Sequence, residues 1–109
     1  MTGEEVKDWL DAEVEQFPQR ASGEDLYRYI VQRTKHAAES DRSALVSALT
    51  VWLGLRSEPK TMLAVEIISK HNVVELRSAV EQLLADVLDG EAFKAFYEQP
   101  IRSALEEMD

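Results

Sequence analysis

Thr34-Lys35-His36, five residues, and Arg42-Ser43-Ala44-Leu45 return 35 positions later as Ser69-Lys70-His71, five residues, and Arg77-Ser78-Ala79-Val80. Leu49 and Leu53 recur in step as Leu84 and Leu88, so the match runs about three helical turns past the motif. Upstream it fades. Tyr27 and Ile30 pair with Met62 and Val65, but Val31 faces Glu66 and Arg33 faces Ile68. A period of this length is the signature of stacked helix pairs, because one helical hairpin cannot bury its apolar face alone and needs a neighbour of the same kind.

Apolar spacing and capping residues give helices almost end to end. Thr2 with Glu5 forms a capping box, and Val6, Trp9, Leu10, Val14 and Phe17 follow at helical intervals until Pro18, which predicts a helix over 3–17. Ser22 with Asp25 opens a second, with Leu26, Tyr27, Ile30, Thr34 and Ala37 on one side. Ser40 is expected to cap a third over about 41–55, and its broad arc of Leu45, Val46, Leu49, Trp52 and Leu53 marks it as central. Ser57 and Pro59 start a fourth, which leaves only a narrow polar strip and should stop near His71-Asn72. Val73, Leu76, Val80, Leu83, Leu84, Val87 and Leu88 form the stripe of a fifth, with Gly90 in the place of a C-terminal cap. Phe93, Phe96 and Tyr97 suggest a short sixth, and Pro100 kinks it or starts a seventh with Ile101, Ala104, Leu105 and Met108. On this reading Lys35-His36 and Lys70-His71 end first helices, and Arg42 and Arg77 lie in the first turns of second helices.

The 109 residues are read as one all-α domain: an N-terminal helix at 3–17, helix pairs at 24–55 and 58–89, and C-terminal helices at 91–108. Six or seven short antiparallel helices are expected, since the loops are short. Four Gly and three Pro leave little room for strands, and the absence of Cys excludes disulfides and thiolate chemistry and fits a reducing, cytoplasmic setting. Apolar runs are brief and the first residues acidic, so neither a signal peptide nor a membrane span is expected.

The net charge of −9 is unevenly placed. Residues 1–17 hold six acids against Lys7, residues 81–109 hold eight against Lys94 and Arg102, and residues 18–80 hold seven acids and nine bases, Arg20, Arg28, Arg33, Lys35 and Arg42 among them. A surface of this sign repels phosphate backbones, so direct nucleic-acid binding is disfavoured and a protein partner, a basic one above all, is favoured.

From Thr61 to Asp86 the chain, TMLAVEIISKHNVVELRSAVEQLLAD, resembles a HEAT-like α-helical repeat, and the resemblance covers about residues 24–90. An Arg early in each second helix (Arg42, Arg77) and the closing Leu-rich stripe carry it; His36 and His71 stand where that family usually places Asp. The resemblance implies two stacked helix pairs and a protein-binding scaffold. A compact six-helix bundle of death-fold type satisfies the same periodicities.

No catalytic constellation is visible. H-E-x-x-H, E-x-x-H, G-x-S-x-G, the phosphate-loop pattern and G-x-G-x-x-G are all missing, so no metal, cofactor or enzymatic activity is expected. One helix face is unusual instead. Ser43, Ser47, Thr50 and Gly54 fall at i, i+4, i+7 and i+11 of the third helix, a polar but uncharged side in a chain rich in Glu and Arg. Either a neighbouring helix packs there or a partner does, because interface centres are depleted in charge. Ser43, Val46, Ser47 and Thr50 are the candidate anchoring residues, and Glu4, Glu5, Asp8 and Asp11 the acids that would steer a basic partner. A small acidic inhibitor or immunity protein against a basic toxin or nuclease is one form of that expectation; a DNA mimic is another.

Overall fold

The computed structural model describes residues 2–17, 23–91 and 97–108. Among them every regular element is helical: α1 (Gly3–Gln16), α2 (Gly23–Ser40), α3 (Arg42–Gly54), α4 (Glu58–Lys70), a 3-10 turn (Val74–Leu76) leading into α5 (Arg77–Leu88), and α6 (Glu98–Glu107). The class is all-α. The expected Ser22 cap and the short helix built on Phe93 and Phe96 lie outside the described residues.

Most ends follow local chemistry. Thr2 and Glu5 form the reciprocal box, Thr2 Oγ1 accepting from the Glu5 N–H and Glu5 Oε1 from the Thr2 N–H, each at 3.1 Å. Asn72 (φ 52°) and Gly90 (φ 76°) take the left-handed conformation that ends α4 and α5. Arg56 (φ 50°) does the same beyond α3, held there by Leu53 O at 3.1 Å and by Asp86 at 2.7 Å. The expected Ser40 cap is corrected: α2 runs through Ser40, and Asp41 occupies the N-cap of α3 without a side-chain capping hydrogen bond. Lys35 and His36 therefore lie inside α2, whereas Lys70 and His71 do end α4. The two copies of the motif thus differ in backbone, because the residues after His36 stay helical as far as Ser40 and those after His71 form a turn at once.

Two layers result. Helix α3 packs on α1 and α5, α4 on α2 and α6, and the layers meet through α2 against α3, α3 against α4, and α5 against α6. Within each layer the helices run the same way. Gly3 lies on Ser47 and Asp11 reaches Trp52, so α1 follows α3. Arg42 holds Glu75 at the start and Arg56 holds Asp86 at the end, so α3 follows α5. The smallest extent of the molecule, 22 Å, is two helix diameters. The helices of the second expected pair, α4 and α5, each pack mainly on other helices.

Helix α4 is the centre. From Thr61 to Ser69 only Glu66 escapes burial. Its two buried hydroxyls are satisfied: Thr61 Oγ1 accepts from Ser57 N–H at 3.0 Å and donates to Trp52 O at 2.7 Å, and Ser69 donates to Glu107 at 2.5 Å. The repeat survives as ties between successive units. Thr34, on α2, meets His71 Nε2 at 3.0 Å, and Ser69, on α4, meets Glu107. Arg42 donates to His71 O and Asn72 O (3.5 and 2.9 Å) beyond the end of α4, and Arg77 to Leu105 O and Met108 O (3.2 and 3.5 Å) at the end of α6. Each Arg thus satisfies carbonyls that a helix end leaves without an intrahelical donor.

Burial does not obey the repeat. Leu49 and Leu53 are buried, while Leu84 is only partly so and Leu88 is 53% exposed. Leu49→Ala should therefore cost about 2–5 kcal/mol, Leu84→Ala less, and Leu88→Ala under about 0.5 kcal/mol. Urea unfolding measures all three; an equal loss at Leu49 and Leu88 would overturn the layering.

Candidate functional site

The first helix is fixed to α3 by a close approach and by a carboxylate. A Cβ on Gly3 would stand 2.6 Å from Ser47 Cβ, nearer than two carbons come, so only glycine lets the start of α1 sit here. Two turns further on, Asp11 accepts from Trp52 Nε1 at 2.9 Å, Lys60 at 2.9 Å and Lys7 at 2.8 Å. Burial disfavours its charge, but the donors from Lys7, Lys60 and Trp52 outweigh that and hold its carboxyl at about 2. Trp52, wholly buried, has its one polar atom satisfied by the same contact.

That arrangement divides the candidate residues. Glu4, Glu5 and Asp8 are exposed on α1, but Asp11 is engaged inside the fold by three donors and is withdrawn from the steering set. On α3, Ser43, Ser47 and Thr50 are exposed, while Val46 is half-buried against the core. The Thr50 hydroxyl donates to Val46 O at 2.8 Å, within its own helix. Close packing by α1 and exposure of the uncharged side thus coexist: Gly3 lies against Ser47, yet Ser43, Ser47 and Thr50 stay exposed. The same strip also holds Val51 and Leu55, 43% and 49% exposed, which sequence spacing had not set apart. Ser43, Ser47, Thr50, Val51, Gly54 and Leu55 are all exposed and none is charged.

The opposite side of α1 carries a second cluster. Glu13 accepts from Tyr29 Oη and from Arg33 Nη2 at 3.1 Å; the Tyr29 bond does most to lower its carboxyl, and burial opposes. The Arg33 guanidinium lies 5.7 Å from the centre of the Trp9 ring. Trp9, Arg33, His36, Ala37 and Asp41 line a cavity of about 250 Å³. Sequence reasoning placed Trp9 in a core stripe and His36 in a turn. The signal it lacked is that α2 continues past His36, which sets Arg33, His36 and Ala37 on one side of a helix facing α1. His71 is occupied differently, its Nε2 lying 2.8 Å from Val31 O and 3.0 Å from Thr34 Oγ1. Because Thr34 donates to Ile30 O at 2.8 Å, this ring nitrogen carries the proton.

Among the described residues, no group of three or more His, Asp or Glu is placed to hold a metal ion, and no helix is long and apolar enough to cross a membrane. No family model, curated protein or solved structure matches the chain.

Asp11 has a folded pKa near 2 against an ordinary 3.8, so its stabilisation is complete above pH 4 and is lost as pH falls towards 2. The shift corresponds to about 2 kcal/mol. Asp11→Asn should accordingly lose about that much at pH 7, and the gap to wild type should close in acid; chemical denaturation at pH 7 and pH 2.5 reads it. A gap independent of pH would remove the charge from the explanation.

Proposed function

We propose that the chain is a non-catalytic protein-interaction module of helical-repeat type, and that it docks a basic protein on the outer face of the α1, α3, α5 layer. One observation carries this: an exposed strip of α3, from Ser43 to Leu55, is uncharged although 30% of the chain is charged. A surface facing only water has no physical need to exclude charge, whereas the centre of an interface does, since a buried charge without a partner loses its hydration. Val51 and Leu55 supply apolar area, and Ser43, Ser47 and Thr50 are small enough to admit a close approach. Glu4, Glu5 and Asp8 stand on the helix packed beside the strip and favour a positively charged partner during encounter.

The Arg42 and Arg77 ties support the repeat-type reading, for they join each unit to the next as neighbour contacts in repeat proteins do. A small acidic inhibitor or immunity protein acting on a basic toxin or nuclease is one form of such a module. Lack of Cys supports a reducing, cytoplasmic setting. A DNA mimic would need the acids of α1 and α6 in one continuous stripe; these helices belong to different layers and do not pack together extensively, which leaves that form without support.

Thr50→Arg tests the reading. The side chain is exposed and its hydroxyl bonds within α3, so stability should change by less than about 0.5 kcal/mol. Proteins retained from native lysate by the immobilised wild type should be lost on Thr50→Arg, and Glu4→Gln with Asp8→Asn should slow association and flatten its salt dependence. Equal retention by a folded Thr50→Arg protein would rule out this face.

A further inference from the structure

We infer that the side of α5 turned away from α3 docks a helix of a protein partner, laid along α5 as α5 is laid along α3, with an acid in its first turn and a Lys or Arg about three turns on. The internal repeat supplies the precedent. In the first copy Arg42 grips Glu75 and Arg56 grips Asp86, so the carboxylates offered to α3 by α5 and its leading turn stand at 75 and 86, about three helical turns apart. Val46, Leu49 and Leu53 follow Arg42 at i+4, i+7 and i+11, on one side of α3. They lie between the two arginines and so face the helix that the arginines hold.

In the second copy the corresponding positions are Arg77, Glu81, Leu84, Leu88 and Glu91. Asp86, which faces α3, is two residues from Leu88 and so about 200° round the helix, which turns this side away from α3. Its apolar part is uncovered: Leu53 is 3% exposed and Leu88 53%. Its arginine is only half engaged. Arg42 holds Glu75 through Nε and Nη2, whereas the same nitrogens of Arg77 make no hydrogen bond among the described residues, Nε coming no nearer than 3.8 Å to Glu81. Nη1 of each is engaged alike, on carbonyls at the end of the helix beneath. An acid in the first turn of the docked helix therefore meets Arg77 as Glu75 meets Arg42. Further along the sign reverses. Arg56 is replaced by Glu91 and Val46 by Glu81, so the place taken by Asp86 in α5 requires a Lys or Arg in the occupant. A second copy of this chain does not qualify: α1, the helix it would bring from the other end of the layer, has no Lys or Arg after Lys7, and two chains of net charge −9 repel. This surface is separate from the α3 strip.

Because α5 is the pattern for the occupant, the probe is a peptide of residues 73–89 carrying Asp86→Lys, acetylated and amidated, titrated into the full chain labelled with ¹³C at its leucine and valine methyls. Leu84 and Leu88 should shift saturably. Leu49 and Leu53, the same positions already covered, should stay, and so should the exposed Val51 and Leu55. The peptide with Asp86 kept should bind roughly three- to tenfold more weakly, and Glu75→Gln in the probe should weaken it roughly two- to fivefold. Leu88→Gln in the protein should abolish the shift at Leu84, and Glu91→Arg should reverse the order of the Lys and Asp peptides by restoring the charge that Arg56 has. If Leu88→Gln fails to fold, Glu91→Arg decides alone. An unmoved Leu88, an equal shift at Val51 and Leu55, equal binding of the peptides, binding that survives in folded Leu88→Gln, or an order unchanged in Glu91→Arg would each overturn the proposal. So would Leu88 signals that move with protein concentration before peptide is added, which would assign the face to a second copy. Failure here leaves the α3 strip to its own test at Thr50.

Discussion

A helix that is apolar on nearly every side cannot stay in water, and α4 is such a helix. Met62, Leu63, Ala64, Val65, Ile67 and Ile68 point in all directions around its axis, so other helices must enclose it. With α2 and α6 on its flanks it forms one layer, laid over a second made by α1, α3 and α5. The enclosure is tolerable only because the polar groups drawn in with it are bonded. Thr34, Thr61 and Ser69 are buried and each has a partner, and among the described residues no buried side-chain polar atom lacks one.

The duplicated arginines show how a repeat can persist in its ties while its burial diverges. Arg42 grips Glu75 with two nitrogens, each at 2.9 Å, and holds that carboxyl at about 2, chiefly through this bond; Arg77 meets Glu81 only at 3.8 Å. Glu75 is partly exposed, so water screens much of that interaction. What both share is the gift of donors to the end of the next helix. Divergence has a positional cause. The first copy is covered by α1, whereas Leu88 ends α5 with no helix among the described residues laid over it, so the same apolar residue is buried once and exposed once.

Charge is sorted by depth along α1. Glu4, Glu5 and Asp8 face solvent, Asp11 points under the helix to Trp52, and Glu13 turns to Trp9, Tyr29 and Arg33. Both tryptophans thus lie beside α1 carboxylates, yet Trp52 completes the core and Trp9 walls a cavity. Opening α1 on two sides in this way leaves the outer strip of α3 uncovered between its neighbours. An uncharged surface is then available beside a rim of acids, and the proposed docking of a basic partner rests on that arrangement.

The helices themselves were readable in the amino-acid order, because apolar period, the Thr2–Glu5 box, Asn72 and Gly90 are local signals carried by residues a few positions apart. So was the separation of an uncharged side on α3, which is a matter of spacing alone. Tertiary structure decided the rest. Whether Ser43, Ser47 and Thr50 meet a neighbour or water depends on how α1 lies, and that is set by the contact of Gly3 with Ser47, far apart in sequence. The removal of Asp11 from the acidic rim needed Trp52 and Lys60, and the cavity at Trp9 needed α2 to run on past His36. Local spacing dictates which residues share a helix face; only packing, through contacts between residues distant in the chain, dictates what that face meets.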